Sequence, residues 1–460
     1  MSRNRVLLTI ALVAAAVGLA VFAAQFFPRR DVDKDLWSPA QRFPRPALPE
    51  TYIAPTTDYP AGRAVAREYI DAAALIAALA AAAYLALKKR SRTGIVVLML
   101  ASLAYFGFYR GGCVCPIGAI QHVAEAAFDS RFALPAAVLL FFALPLVAAL
   151  FFGRVFCSAV CPLGAMQDVV LLRPMKVPGW LEHALQLFAY VYLGLAVLFA
   201  ATGAGYVICR YDPFVSFFRL RGNIEMLVLG ACFIIVAIFV GRPYCRYFCP
   251  YGVLLRLASK VSWRRATITP DECVRCRLCE DACPFGAIRK PTPDAEGARA
   301  EGKARLGLLI LALPLLVLLG VWLGSLSSGW FAGAHPAVAQ ARTVGAEETE
   351  LSGPEEKLET RTQAFLRTAR TPEQLYEEEA VVLKRFELGG ALFGGWVGLV
   401  VGAKLVALSV RRRRTDYEAD AGQCVACGRC FAHCPREHLR RKTLRGEGTT
   451  ATPDDAAETT

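Results

Sequence analysis

Two runs of cysteines share a spacing that can hold iron–sulfur clusters. In each run the cysteines stand at positions i, i+3, i+6 and i+10, and a proline follows the last. We call them the first ladder (Cys273, Cys276, Cys279 and Cys283) and the second ladder (Cys424, Cys427, Cys430 and Cys434). Three closely spaced thiolates can each reach a different iron of one cubane, and the cysteine before the proline characteristically ligates the neighbouring cluster. The two ladders therefore predict two [4Fe–4S] clusters in one bacterial-ferredoxin-like unit.

The alternatives for the ladders are a zinc site and disulfides. Zinc needs four ligands, usually as two cysteine or histidine pairs separated by a longer segment. Neither that spacing nor disulfide chemistry favours this repeated run, so iron–sulfur clusters are the better interpretation.

Four further cysteines lie in an internal repeat, at 153–164 and 241–252. Each copy has cysteines at i and i+4, which places both thiols on one side of a helical turn, and a proline then interrupts regular hydrogen bonding. We call them the paired turns (Cys157, Cys161, Cys245 and Cys249). Brought together at the end of a helix bundle, they would offer four thiolates to one membrane-embedded iron–sulfur or other metal centre.

A degenerate third copy contains Cys113 and Cys115, and Cys209 is predicted on the same, outer side. These three could hold a metal near the periplasmic face, with Asp212 or Cys232 as a fourth ligand. The alternatives are a disulfide, which an oxidising compartment favours, and for Asp212 a simple helix N-cap before proline. Cys232, inside an apolar stretch, is better explained as a small buried hydrophobe.

The elements that must position these cysteines are membrane helices. The 460 residues are 55% hydrophobic, with a mean hydropathy of +0.40. Eight stretches approach the roughly 20 apolar residues that cross a bilayer as a helix. They are Val6–Phe27, Tyr69–Leu87, Gly94–Tyr109, Phe132–Phe152, Ala184–Tyr206, Met226–Val240, Leu306–Gly324 and Leu388–Val410. The predicted fold is an all-α polytopic membrane protein with about eight transmembrane helices and a split ferredoxin-like module.

The net charge of +13 does not indicate nucleic-acid binding, because Lys and Arg collect beside the apolar stretches. Positive flanks mark the cytoplasmic side of a membrane helix. Applied to eight spans, this rule places both termini and both ladders in the cytoplasm. The first stretch could also be a signal peptide, but its length favours an uncleaved anchor.

The predicted organisation alternates membrane and extramembrane segments. It comprises an N-terminal anchor (1–27), a periplasmic loop (28–67), a transmembrane core with the paired turns (68–260), the first ferredoxin half (261–303), a transmembrane helix (304–325), a periplasmic helical insertion (326–386), a transmembrane helix (387–410), the second ferredoxin half (411–445) and a disordered tail (446–460).

The paired turns followed by ferredoxin ladders resemble the NosR/NapH-type membrane iron–sulfur proteins. The resemblance covers roughly 94–284 and 424–435. It implies a polytopic protein of the bacterial inner membrane with clusters on the eight ladder cysteines. It also implies electron transfer between the quinone pool or cytoplasm and a periplasmic redox enzyme. No Ser-Gly-Ala-Thr-like flavin attachment motif is found, so the outer flavin-binding domain is expected to be lacking and any flavin to come from a partner. Compared with NapH-like proteins, a membrane hairpin is inserted between the ladders.

The sequence thus predicts an electron-transfer subunit of a membrane oxidoreductase system. We find no catalytic triad, nucleotide fingerprint or facing histidine pair for haem. The alternative function is a copper-assembly or reductase factor for a periplasmic or membrane oxidoreductase, since Cys113 and Cys115 could bind Cu(I). A structural anchor is a third possibility. Asp71 and Lys404 lie inside predicted spans, which makes each a functional candidate.

Overall fold

The computed structural model describes residues 65–112, 116–130, 132–219, 223–268, 273–292, 299–347, 362, 365, 371–410 and 414–444. Seven of the eight predicted spans fall in these ranges, and each coincides with an apolar helix; Val6–Phe27 lies outside them. Within the described ranges, five helices are long and apolar enough to cross a membrane: Ala66–Lys88, Arg92–Tyr109, Gly179–Ala201, Ala304–Leu326 and Pro372–Ser409. The other two apolar helices, Ala136–Phe152 and Ile224–Ala237, are shorter.

The core consists of helices from the first half of the chain. In chain order they are α1 (Val65–Ala83, continued as a π-helical segment Tyr84–Lys88), α2 (Arg92–Ser102, continued as Leu103–Tyr109), α3 (Pro116–Phe128), α4 (Ala136–Phe152), α5 (Val155–Ala159), α6 (Pro162–Val169), α7 (Gly179–Ala201), α8 (Val207–Arg210), α9 (Val215–Arg219), α10 (Ile224–Ala237), α11 (Pro243–Tyr247) and α12 (Pro250–Lys260). One hydrophobic core runs through them, from Leu75 in α1 to Leu255 in α12.

Three times in this core, a cysteine segment is followed by a short buried helix that begins at a proline. Pro116, Pro162 and Pro250 open α3, α6 and α12. Proline suits the first helical turn because its missing N–H would be unpaired there anyway. The α12 helix runs alongside α4, since the Tyr251 hydroxyl donates to the carbonyl oxygen of Phe142 at 2.7 Å. The second paired turn therefore lies level with the middle of α4.

The second half contains a long helical hairpin and the ferredoxin halves. These elements are α13 (Leu278–Asp281), β1 (Ile288–Arg289), α14 (Arg299–Leu326), α15 (Ser328–Ala332), α16 (Pro336–Ala346), α17 (Pro372–Ser409), β2 (Glu418–Ala419), α18 (Arg429–Ala432) and α19 (Pro435–Leu444). The α17 helix is continuous from Pro372, where Thr371 and Gln374 form a capping box.

Glycines allow α14 and α17 to touch through their backbones. A Cβ atom at Gly394 would collide with the carbonyl oxygen of Gly320, and one at Gly390 with that of Gly324. Small residues at such an interface let two membrane helices approach closely. The hairpin docks on α7 through Trp396, whose indole Nε1 donates to the Tyr190 carbonyl oxygen at 3.0 Å.

The two ferredoxin halves meet although the hairpin separates them in the chain. β1 and β2 form a two-stranded antiparallel sheet that pairs Ile288 with Ala419 and Arg289 with Glu418. The described fold is therefore mostly helical, with one small sheet that the all-α prediction missed. Two-residue strands carry too little alternation to be recognised in a sequence.

Candidate iron–sulfur sites

The first-ladder site combines three cysteines of one ladder with the last cysteine of the other. Cys279 interacts electrostatically with Cys273, Cys276 and Cys434, and these four thiols line one cavity. Burial raises the pKa of the Cys279 thiol to about 11. Cys276 is exposed, so this site lies at the surface of the module.

The second-ladder site has the reciprocal composition. Cys430 interacts with Cys424, Cys427 and Cys283, the last cysteine of the first ladder. Burial raises the pKa of the Cys424 thiol to about 12. Each set of three thus receives its fourth thiol from the other ladder, which is the crossing arrangement predicted from the spacing.

Both ladders follow the same backbone path. The residue before the second cysteine is left-handed in each, with φ of 56° at Arg275 and 54° at Ala426. The residue after it is left-handed too, with φ of 66° at Arg277 and 80° at Gly428. Non-glycine residues rarely adopt this conformation, so its recurrence at equal positions indicates that both loops are shaped by the same structural requirement. In each ladder, this backbone path brings the first three thiols together on one side of the loop.

The paired turns also converge. Cys249 interacts with Cys245, Cys161 and Cys157, and all four are buried or half-buried. Cys161 and Cys249 are the N-caps of α6 and α12, where the helix dipole favours negative charge. The Cys249 sulfur accepts a hydrogen bond from the Gly252 amide at 3.3 Å. The arrangement suits thiolate ligands of a buried centre.

The donor set fits a cluster better than a single ion. Among the described residues, no three His, Cys, Asp or Glu side chains lie close enough together to hold one metal ion. A cubane spreads its thiolate ligands over four irons, so they need not crowd around one point. Since metal ligands must be deprotonated, loading these buried thiols would release protons.

A buried carboxylate anchors the second ladder to the core. Asp168, in α6, pairs with Arg92 at 3.2 Å, Arg429 at 3.3 Å and Arg242 at 3.6 Å. Burial alone would raise the pKa of Asp168, but the three guanidinium groups outweigh it and hold that pKa below its usual value. Arg92 also donates to the Cys427 carbonyl oxygen at 2.8 Å. One carboxylate therefore joins α2, α11 and the second ladder.

The second-ladder site adjoins the paired turns. Cys157 packs in one apolar cluster with Cys283, Cys424 and Phe285. Beyond the paired turns, the Tyr244 ring meets Phe214 edge-on with centroids 5.1 Å apart. The order of sites is therefore first ladder, second ladder, paired turns and then an aromatic contact toward α9.

Of the three cysteines predicted for an outer metal site, the structure describes only Cys209. A Cβ atom at Gly118 would lie 3.2 Å from the Cys209 sulfur, so Cys209 sits against the first turn of α3. Asp212 accepts from the Phe214 amide at 2.9 Å, as expected of a capping residue. Cys232 is buried in α10. Cys113 and Cys115 lie outside the described residues, so their proposed grouping with Cys209 stays a prediction.

A chain of polar contacts connects the hairpin to the first ladder. The Lys404 ammonium donates to the Gln186 Oε1 at 2.7 Å, and the Gln186 amide donates to Glu182 at 3.0 Å. Glu182 pairs with Arg246 at 2.5 Å, and Arg246 donates to the Pro284 carbonyl oxygen at 3.3 Å. Lys404 thus has a buried partner in the core.

Asp71, the other charged residue inside a predicted span, is an ion-pair partner. It pairs with Arg110 at 2.7 Å and accepts from the Tyr105 hydroxyl at 2.7 Å. Sequence reasoning missed Arg110, as it missed Asp168, Gln167 and Gln186. The sequence feature that could have identified these four residues is a polar side chain within an apolar helical segment. Gln167 donates to the Cys245 sulfur at 3.2 Å.

Family models match the chain over the segments just described. A model described as "4Fe-4S binding domain" matches three times, at 92–135, 134–178 and 223–268, so it covers all three cysteine segments of the core. A second model with the same description matches 266–289, which includes the first ladder.

Curated relatives share these segments. Uncharacterized protein MJ0750 of Methanocaldococcus jannaschii is 30% identical over 190 residues, 39% of this chain and 77% of the relative. Regulatory protein NosR of Pseudomonas aeruginosa is 30% identical over 224 residues, 44% of this chain and 30% of the relative. Methylamine utilization ferredoxin-type protein MauN of Paracoccus denitrificans is 29% identical over 155 residues, 32% of this chain and 54% of the relative.

The chain belongs to the NosR/NapH-type family of membrane-associated ferredoxin-type proteins. No solved structure matches it. As a NosR/NapH-type protein it is a multi-pass membrane protein with 4Fe–4S binding domains and a role in redox systems. The chain covers only 30% of NosR and 54% of MauN, so the activities of those whole proteins do not transfer directly.

Proposed function

We propose that the protein relays electrons across the bacterial inner membrane, between a cytoplasmic or quinone partner and a periplasmic redox protein. The relay uses [4Fe–4S] clusters at the two ladder sites and a third centre at the paired turns. The proposed ligands are the eight ladder cysteines for the first two and Cys157, Cys161, Cys245 and Cys249 for the third. A site with Cys113, Cys115 and Cys209 would be the outermost centre.

The observation that carries this proposal is the depth of the paired turns. Tyr251 follows Cys249 closely and bonds to Phe142, which is ten residues before the end of α4. At 1.5 Å per residue, that position is about 15 Å from the helix end. The hydrocarbon layer is about 30 Å thick, so a centre here divides the crossing into shorter steps.

The orientation in the proposal comes from charge. Lys88 and Lys89 follow a span, and Arg414, which follows another, is hydrogen-bonded to Thr292 beyond the first ladder. Arg90 contacts the Thr267 and Ile268 carbonyl oxygens before the first ladder, which supports placing that basic end with the ladders. The positive-inside rule then assigns this end, with both termini, to the cytoplasm.

The test is electron transfer through sealed vesicles that contain the full chain, with a reductant inside and a membrane-impermeant acceptor outside. Cys245→Ala should remove iron from the paired turns and abolish transfer. Cys232→Ala is the matched control, because Cys232 is a buried core cysteine outside the ladders and the paired turns. This variant should keep both the iron at the paired turns and electron transfer. Fully loaded protein that passes no electrons would refute the relay, and loss of a partner's copper alone would favour the assembly function.

A further inference from the structure

A buried cavity separates the paired turns from the second ladder, and its walls are strongly basic. It is lined by the thiol-bearing Cys157 and Cys245 on one side and by the guanidinium groups of Arg154, Arg242, Arg246 and Arg256. A guanidinium cannot lose its proton to escape burial, so each of these charges must be balanced by something nearby.

Two of the four arginines are balanced by carboxylates. Arg242 pairs with Asp168 at 3.6 Å, and Arg246 pairs with Glu182 at 2.5 Å. Arg154 and Arg256 form no ion pair within the described part of the chain. Both are more than nine-tenths buried, with 4% and 8% of their surface exposed.

Arg154 and Arg256 form hydrogen bonds to neutral groups, which for Arg256 include Tyr190, and Asp420 acts on Arg256 only from beyond ion-pair distance. Arg154 donates to the Gly422 carbonyl oxygen at 3.1 Å and approaches the Cys157 sulfur at 3.7 Å. Arg256 donates to the Arg246 carbonyl oxygen at 3.4 Å. The Nε atom of each has no hydrogen-bond partner. Both buried positive charges therefore line the thiol-bearing cavity without a carboxylate in ion-pair contact among the described residues.

We propose that Arg154 and Arg256 are the counter-charges of the iron–sulfur centre at the paired turns, an inference that rests on the proposed function. A cluster with four thiolate ligands is an anion, and it gains one more negative charge when one electron enters, with no bond formed or broken. Buried cations beside it stabilise the reduced form and raise its reduction potential. Arg154 also acts on Cys424, so it adjusts the neighbouring second-ladder site.

The main experiment measures the reduction potential of the paired-turn centre by EPR-monitored titration of the loaded full chain. Arg154→Gln and Arg256→Gln should each lower the equilibrium constant for reduction about tenfold, equivalent to about 59 mV for one electron. Arg154→Lys and Arg256→Lys should stay near wild type, because they keep the charge. Arg173→Gln, at an exposed arginine, is the matched control and should change nothing.

Unchanged potentials in loaded Gln variants would overturn the inference. If Arg154→Gln does not load the centre, loading by Arg154→Lys supports a role of charge, whereas failure of both variants refutes it. The apo-protein gives a second measurement: Arg256→Gln removes a buried charge that has no ion-pair partner among the described residues and should raise the thermal midpoint, while a merely structural arginine would lower it. Iron and sulfide contents that Cys245→Ala leaves unchanged would refute the proposed function itself.

Discussion

Replacing Asp168 with Asn should detach the second ladder from the membrane core. The Asp168 side chain is fully buried and is the carboxylate that Arg92, Arg242 and Arg429 share. Asparagine keeps the shape of the side chain but removes the charge, which leaves three guanidinium groups facing one another. Breaking a buried pair by removing one partner costs about 3–5 kcal/mol.

That cost can be measured as opening of the interface between the ladder and the core. A loss of about 3 kcal/mol raises the open population by more than about 100-fold, because each 1.36 kcal/mol is a factor of ten. Hydrogen exchange of the amides from Cys427 to Ala432 would report it. The matched control is Asp281→Asn, which breaks a 2.7 Å pair with Lys176 that is largely exposed, and it should leave exchange unchanged.

Acid provides an independent check on the same carboxylate. The pKa of Asp168 is lower in the folded protein than its ordinary value, so its contribution is present above the ordinary value and is lost as the pH falls through the folded one. The apo-protein should therefore show acid-dependent opening of the second ladder that Asp168→Asn lacks. Equal exchange in wild type and Asp168→Asn at neutral pH would refute the argument.

Three further outcomes are expected. Cys283→Ser should alter the EPR signal of the second-ladder cluster and Cys434→Ser that of the first; the opposite assignment would disprove the crossing. Gly394→Ala should separate the hairpin helices and lower the thermal midpoint, whereas Gly307→Ala, on an open face of α14, should not. Arg277→Gly should raise stability by about 1 kcal/mol by relieving a left-handed backbone; a drop in the midpoint would count against that strain.

The sequence predicted the parts of the site that depend on local spacing. The Cys-Pro endings of the ladders predicted the exchange of Cys283 and Cys434, because a short loop fixes which thiols can share a cluster. Hydropathy located the membrane helices, since about 20 apolar residues leave few other structures in a bilayer.

Contacts between distant segments could not be predicted in this way. Asp168 meets arginines from three elements, and Lys404 meets Gln186 across the hairpin interface. Each residue alone is an ordinary polar side chain in its own segment, and only tertiary packing selects its partner.

The exchange of cysteines between the ladders has a consequence for biosynthesis. Until the chain has passed through α14 and α17 and returned, the first set of three thiols has no fourth, and the second set does not yet exist. If the ladders hold clusters as proposed, cofactor insertion waits until both hairpin helices have been made, so a chain whose hairpin does not fold would be left without its clusters.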